Sequence, residues 1–145
     1  MPHLMKSINV LHRAQALYRT RMIDEGLLAS HHTFIFAICS EPGRTQDELA
    51  DALYLNKSTV ARVIGALEER GLVRREANPR DKRQLRVYPT DKMLELRPRV
   101  GEVAREWNAQ LCRGIDEGEL DTFLRVLSKM EQNAAEAVKR GGGVE

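Results

Sequence analysis

Cysteine is scarce in this chain. Two thiols, Cys39 and Cys112, stand among 145 residues, 73 positions apart and outside any C-x-x-C spacing. That speaks against a disulfide framework or a zinc cluster. Long hydrophobic runs are missing too. The longest stretch without Asp, Glu, Lys or Arg is the 15 residues from Gly26 to Ser40, which include His31 and His32 and are too short and too polar to span a membrane. The first residues hold no apolar segment followed by a small-residue cleavage site, so a cytoplasmic protein with reduced thiols is expected. The chain also lacks G-x-S-x-G, H-E-x-x-H, a phosphate-binding glycine loop and a spaced carboxylate pair in a cleft-forming context. Catalysis is therefore not expected, and neither a cofactor nor a metal is assigned. There is no internal repeat.

What is present suits one folded domain with a sizeable core: 42% hydrophobic and 30% charged residues exclude disorder as the global state. The formal charge of +2 says little until it is divided along the chain. Residues 56–88 carry nine Lys or Arg against four Asp or Glu, a net +5, while 1–43 is at +1 and 44–55 and 89–145 are at −2 each. A basic block of this kind is the footprint of a polyanion-binding surface, or else of a solvated charged face.

Helical periodicity dominates. Leu4, Ile8, Leu11, Ala14 or Gln15, and Tyr18 repeat at three or four positions, predicting an amphipathic helix that ends near Gly26. A second starts after Ser30 with Phe34, Ile35, Ile38 and Cys39 on its buried side, and Glu41, Pro42 and Gly43 stop it. Thr45-Gln46-Asp47-Glu48 is a T-x-x-E capping box opening a short helix that buries Leu49, Ala50 and Leu53. Asn56 caps a fourth helix with Val60, Val63, Ile64 and Leu67 inward, and Gly71 is its natural terminator. The last two helices make a helix-turn-helix. Leu72 to Glu76 and Gln84 to Tyr88 read as two strands of a hairpin whose long basic tip is 77–83. Thr90 or Asp91 caps a helix with the stripe Met93, Leu96, Val100, Val103, Ala104, Trp107 and Leu111, which Pro98 should kink. After a break bracketed by Gly114 and Gly118, a final helix carries Leu120, Phe123 or Leu124, Leu127, Met130 and Ala134 and fades into a mobile glycine tail.

On a helical wheel the fourth helix shows Ser58, Arg62, Gly65 and Glu69 opposite its apolar side, flanked by Thr59 and Ala66. A small, hydrogen-bonding face with one long cation fits the major groove, where hydroxyls reach bases or phosphates and Arg grips guanine. First-turn capping is the other reading of Ser58 and Thr59. Gly65 costs about 1 kcal/mol against Ala in a helix, which calls for close approach of nucleic acid or close packing of another helix.

These residues resemble the MarR family of bacterial transcriptional regulators, which are dimeric winged helix-turn-helix proteins. The likeness is carried by Thr45-Gln46-Asp47-Glu48-Leu49-Ala50, by Asn56-Lys57-Ser58-Thr59-Val60-Ala61-Arg62, by Leu67-Glu68-Glu69-Arg70-Gly71-Leu72-Val73 and above all by Asn78-Pro79-Arg80-Asp81-Lys82-Arg83, closed by Pro89-Thr90 where the family usually has Leu-Thr. The resemblance implies a mainly α fold with a small β-hairpin wing. It makes 1–29 an N-terminal dimerisation helix, 30–90 the winged helix-turn-helix, 91–140 C-terminal dimerisation helices and 141–145 a tail. It implies that Ser58, Thr59 and Arg62 contact the major groove, with Lys57 beside them. Arg83 would enter the minor groove while Asp81 orients the wing, and Arg80, Lys82 and Arg86 add phosphate or groove contacts. The expected partners are double-stranded DNA, as a palindrome with half-sites about one helical turn apart, and a second copy of the chain. The other reading of the terminal stripes is packing within one subunit.

The family further implies a small phenolic or lipophilic effector bordered by Arg13, Tyr18, His31, His32 and Cys39. His31 and His32 make a poor metal pair, since neighbouring helical residues point about 100° apart. Cys39 reads as an inert buried thiol, with redox sensing by Cys39 or Cys112 as the alternative. A winged helix used for protein contact is the rival to DNA binding.

Overall fold

Along the residues that the computed structural model describes, 3–24 and 31–140, six helices and three strands follow one another. They are α1 (Leu4–Asp24), α2 (His31–Ser40), β1 (Arg44–Thr45), α3 (Gln46–Leu53), α4 (Lys57–Glu69), β2 (Val73–Asn78), β3 (Asp81–Pro89), α5 (Asp91–Leu111) and α6 (Glu117–Arg140). The Ser30 cap, the Gly26 stop and the 141–145 tail lie outside the described residues. The chain divides after Trp107 into two compact units.

In the first unit the apolar positions read from the sequence converge. Phe34, Ile35 and Ile38 of α2, Leu49 and Ala50 of α3, and Val60, Val63, Ile64 and Leu67 of α4 form one buried cluster with Leu72, Val73, Val87, Met93, Val100 and Val103. Burying each large side chain of this set contributes about 1.5–3 kcal/mol relative to leaving it in water. Leu53 and Cys39 are only partly buried at the edge of the cluster, so Cys39 is less enclosed than its periodicity predicts.

Caps fix where the helices start. Thr45 Oγ1 accepts the Glu48 N–H at 3.2 Å, and the Glu48 carboxylate accepts the Thr45 N–H at 2.8 Å, closing the predicted box. Asn56 Oδ1 accepts the Thr59 N–H at 2.7 Å. At the other end of α4, Gly71 turns at φ +69 while its N–H donates to Glu68 C=O at 2.8 Å and the Leu72 N–H donates to Leu67 C=O at 2.9 Å. That double bond is a Schellman cap, which a glycine adopts without steric cost. Thr90 rather than Asp91 opens α5: its Oγ1 accepts the Met93 N–H at 3.4 Å and donates to Gly71 C=O at 2.6 Å. α5 continues through Pro98 to Leu111.

The sheet departs from the predicted hairpin in two ways. It has three strands in the order β1-β3-β2, all antiparallel, because Arg44 and Thr45 pair with Val87 and Arg86. The strands also run further toward the tip than expected: Val73 pairs with Pro89 and Ala77 with Leu85, and then the register jumps so that Asn78 faces Asp81. The seven-residue tip contracts to a turn at Pro79–Arg80, and Lys82, Arg83 and Gln84 form the irregular stretch of β3. Two Asx turns explain the contraction. Asn78 Oδ1 accepts the Arg80 N–H at 3.1 Å, and Asp81 Oδ1 accepts the Arg83 N–H at 3.0 Å.

In the second unit, Asp116 and Glu119 form a reciprocal capping box at the start of α6. The Asp116 carboxylate accepts the Glu119 N–H at 2.9 Å, and the Glu119 carboxylate accepts the Asp116 N–H at 3.3 Å. None of the described side chains of α6 is buried; Phe123 is 53% exposed and Leu124 51%. No described helix is long and apolar enough to cross a membrane.

Candidate nucleic-acid interface

The buried stripe of α4 fixes its opposite face by geometry. Ser58, Arg62 and Glu69 are exposed there, with Thr59, Gly65 and Ala66 half-exposed beside them. Ser58 spends its hydroxyl proton on Asn56 Oδ1 at 2.9 Å, so capping accounts for its donor while its oxygen stays open to accept. The Thr59 hydroxyl has no hydrogen bond among the described residues. A Cβ built on Gly65 would meet nothing within 4 Å. Close helix packing within the described chain is therefore not the reason for glycine there, and the face is low and open at its middle.

The wing supplies the cations. Arg80, Asp81, Lys82 and Arg83 are all exposed at the contracted tip. Arg83, Gln84 and Leu85 line one side of a cleft of about 140 Å³ whose other side is Thr45, Gln46 and Asp47 at the start of α3. The Asp81 carboxylate accepts the Arg83 N–H, so this side chain holds the backbone of the wing tip.

The structure sorts the +5 block by what each charge already does. Arg75 is paired with Glu68 and Arg74 with Glu76, and the Arg74 guanidinium lies 4.7 Å from the Tyr88 ring centre. Arg86 is half-buried and donates to Gly43 C=O at 3.2 Å, tying β3 to the turn before β1. A side chain at Gly43 would be strained, because its φ is +88 and a Cβ would press on the Tyr88 phenol at 3.1 Å. Lys57 Nζ sits 3.0 Å from the Asp47 carboxylate. Arg62, Arg80, Lys82 and Arg83 make no ion pair among the described residues. Four cations thus face solvent from two adjoining elements.

Two residues of this surface escape the sequence reading. Tyr54, the C-cap of α3, has φ 53 and ψ 38 and is 58% exposed, an uncommon conformation for a bulky side chain. Asp47 is visible in the capping motif, but its reach to Lys57 is not.

The residues assigned to an effector fall into four places. Tyr18 is 7% exposed, meets the His32 ring edge-on at 5.2 Å and stacks on Trp107 at 6.0 Å. Trp107 belongs to this cluster although the sequence offers it only as a core residue. Burial raises the Tyr18 phenol above its usual value of 10.0. His31 is 2% exposed with no hydrogen bond to Nδ1; burial, then Arg70 and Arg62, hold its imidazolium below the usual 6.5. Cys39 lies near Arg97, whose guanidinium covers the Phe36 ring at 5.3 Å; burial raises the thiol and Arg97 offsets part of that. Arg13 is not brought to any of these and lines a shallow depression on α1 with Lys6, Asn9 and His12. Among the described residues no three His, Cys, Asp or Glu side chains gather into a metal site.

This arrangement is matched in known proteins. The MarR family model matches residues 25–84, the segment that runs from before α2 through the wing tip. A putative MarR family transcriptional regulator from Listeria monocytogenes, solved in complex with a 26mer DNA, superposes with TM-score 0.88 at 25% identity, covering 98% of this chain and 97% of that one. Over residues 25–84 the chain is similar to the MarR family, and its fold is that of MarR regulators. A MarR transcriptional regulator from Methanosarcina mazei Go1 superposes on it with TM-score 0.83 at 28% identity over 94% of this chain and 99% of that one. The PcaV transcriptional regulator from Streptomyces coelicolor, solved with its natural ligand, shares the fold at TM-score 0.81 and 24% identity over 91% and 94%. The likeness to MarR structures therefore includes α1, α5 and α6, beyond the segment that the family model spans.

Proposed function

We propose that this protein is a cytoplasmic, homodimeric repressor of the MarR family that reads a palindromic operator in double-stranded DNA. The observation that carries the reading is the pairing of a low, polar α4 face with unpaired cations of the adjoining wing. Ser58, Thr59 and Arg62 read the major groove from α4, and Lys57 takes a phosphate at its start. The two-stranded tip places Arg83 in the narrow, strongly negative minor groove while Arg80 and Lys82 take phosphates. Asp81 holds the wing backbone, and Arg86, which spends one guanidinium N–H on Gly43 C=O, keeps its other donors for a phosphate or groove contact.

Residues 30–90 form the reading domain in this proposal, and 1–29 and 91–140 form the arms. Leu4, Ile8 and Leu11 of α1 and Phe123, Leu124, Val126 and Val138 of α6 are exposed in a single chain. Apolar faces of this length are expected to be covered by a partner, and a two-fold dimer covers both copies at once. The aromatic group of Tyr18, His32 and Trp107, with His31 and Cys39 on the same helix α2, suits a small phenolic or lipophilic effector that releases the operator. Selection of bound duplexes from a random pool, with and without phenolic ligands, tests the proposal. The expected product is a palindrome with half-sites about one helical turn apart. Binding without sequence preference would leave a winged helix of another use.

A further inference from the structure

Within the set of cations proposed to meet DNA, one is already held by a carboxylate. Lys57, the first residue of α4, pairs at 3.0 Å with Asp47, whereas Arg62, Arg80, Lys82 and Arg83 have no ion pair among the described residues. Asp47 also lines the cleft that faces Arg83, so its carboxylate lies between the recognition helix and the wing. Stability does not explain it. The two side chains are 77% and 66% exposed, and ion pairs that open to solvent add almost nothing to folding. Thr45 and Glu48 complete the α3 capping box by themselves, and although an acid in the first turn of α3 suits the helix dipole, that role does not require the reach to Lys57. What remains is a negative charge placed on a surface that must approach phosphate.

We propose that Asp47 is a positioning residue that sets the strength of DNA binding: it holds the Lys57 ammonium and makes the phosphate backbone compete for it. The inference rests on the DNA-binding reading above. In the free protein the pair is closed. When a duplex docks, Lys57 is shared between the Asp47 carboxylate and a phosphate oxygen, so it releases less than one counterion's worth of binding. Because a phosphate carries no sequence information, the effect is the same on any duplex. An operator-binding protein with weaker backbone affinity leaves arbitrary DNA more readily and stays responsive to modest changes in affinity.

The test is a titration of the full-length protein with two fluorescent duplexes across a range of salt: one arbitrary sequence, and one selected by the wild type from a random pool. Asp47→Asn should tighten binding to both by up to about tenfold near 0.1 M salt and steepen the salt slope by a fraction of the roughly 0.9 expected for one phosphate, with the ratio between duplexes unchanged. Asp47→Glu should restore wild-type behaviour, and melting temperatures should not move. In a Lys57→Gln background the Asp47→Asn effect should vanish. An unchanged slope overturns the proposal, as does a change confined to the selected duplex, which would make Asp47 a base reader, or a full effect without Lys57, which would mean direct repulsion of phosphate. If the wild type binds neither duplex, the DNA-binding reading falls and this proposal with it.

Discussion

α4 and α6 repeat apolar residues at intervals of three and four in the same way, yet they meet opposite fates within the chain. On α4, Val60, Val63, Ile64 and Leu67 disappear into a core shared with α2, α3, β2, β3 and α5. On α6, Phe123 and Leu124 stay half in solvent, and no described side chain of that helix is buried. The difference lies in what surrounds each stripe. α4 is fixed at both ends, by Asn56 and by the Gly71 Schellman turn, and its face opposite the core is polar and low. α6 has a capping box and an apolar stripe, yet no described side chain of it is buried. Periodicity therefore says which side of a helix avoids water but not what covers it: for α4 the cover is the core of its own unit, and for α6 the proposed dimer supplies it from a second copy.

Substitutions sharpen this comparison in order of expected effect on the subunit. Leu67→Ala should be the most damaging, costing about 2–5 kcal/mol in chemical denaturation, because it removes a fully buried side chain and leaves a cavity. His31 should set a pH limit on the same core. Its folded-state pKa is depressed below 6.5 by burial and by Arg70 and Arg62, so its contribution is fully present above that value and is lost as pH falls below it. Melting measured from pH 7.5 to 5 should show this fall, no steeper than about 1.4 kcal/mol per pH unit for one proton, and His31→Leu should flatten it. Thr45→Ala opens the capping box of α3 and should cost about 1 kcal/mol in the same denaturation assay. Leu124→Ala comes last, within about 0.5 kcal/mol for the subunit, since it sits on solvent. Its effect should appear instead in light scattering, as a higher protein concentration needed for dimerisation. A Leu124→Ala protein that unfolds like Leu67→Ala, with no change in association, would erase the contrast between the two helices.

The reading domain was legible because its signals are local. A T-x-x-E box, an Asn cap, a glycine stop and a stripe of four apolar residues each need only a few neighbours in sequence, and each appears where it was expected. The parts that were not legible depend on distant partners. β1 is two polar residues, Arg44 and Thr45, that become a strand only because Val87 and Arg86 lie alongside. Arg86 reads as one more wing cation until Gly43 C=O claims one of its donors across 43 positions. The tip is shorter than its composition suggests, because Asn78 and Asp81 look like loop residues while their side chains bind the backbone N–H groups two residues on and tighten the turn. Tyr18, His32 and Trp107 meet from three helices, a grouping that no spacing along the chain reveals. The Asp116 and Glu119 box, by contrast, is a D-x-x-E signal as local as the T-x-x-E of Thr45.

The central claim is that the unpaired wing cations and the α4 face bind duplex DNA together. The most direct measurement is the salt dependence of duplex binding by the wild type and by Arg83→Ala. The wild type should lose affinity steeply and log-linearly with salt, and Arg83→Ala should weaken binding and lower the slope by about 0.9, the share of one neutralised phosphate. A wild-type affinity that does not respond to salt, or an Arg83→Ala protein with an unaltered slope and affinity, would contradict it.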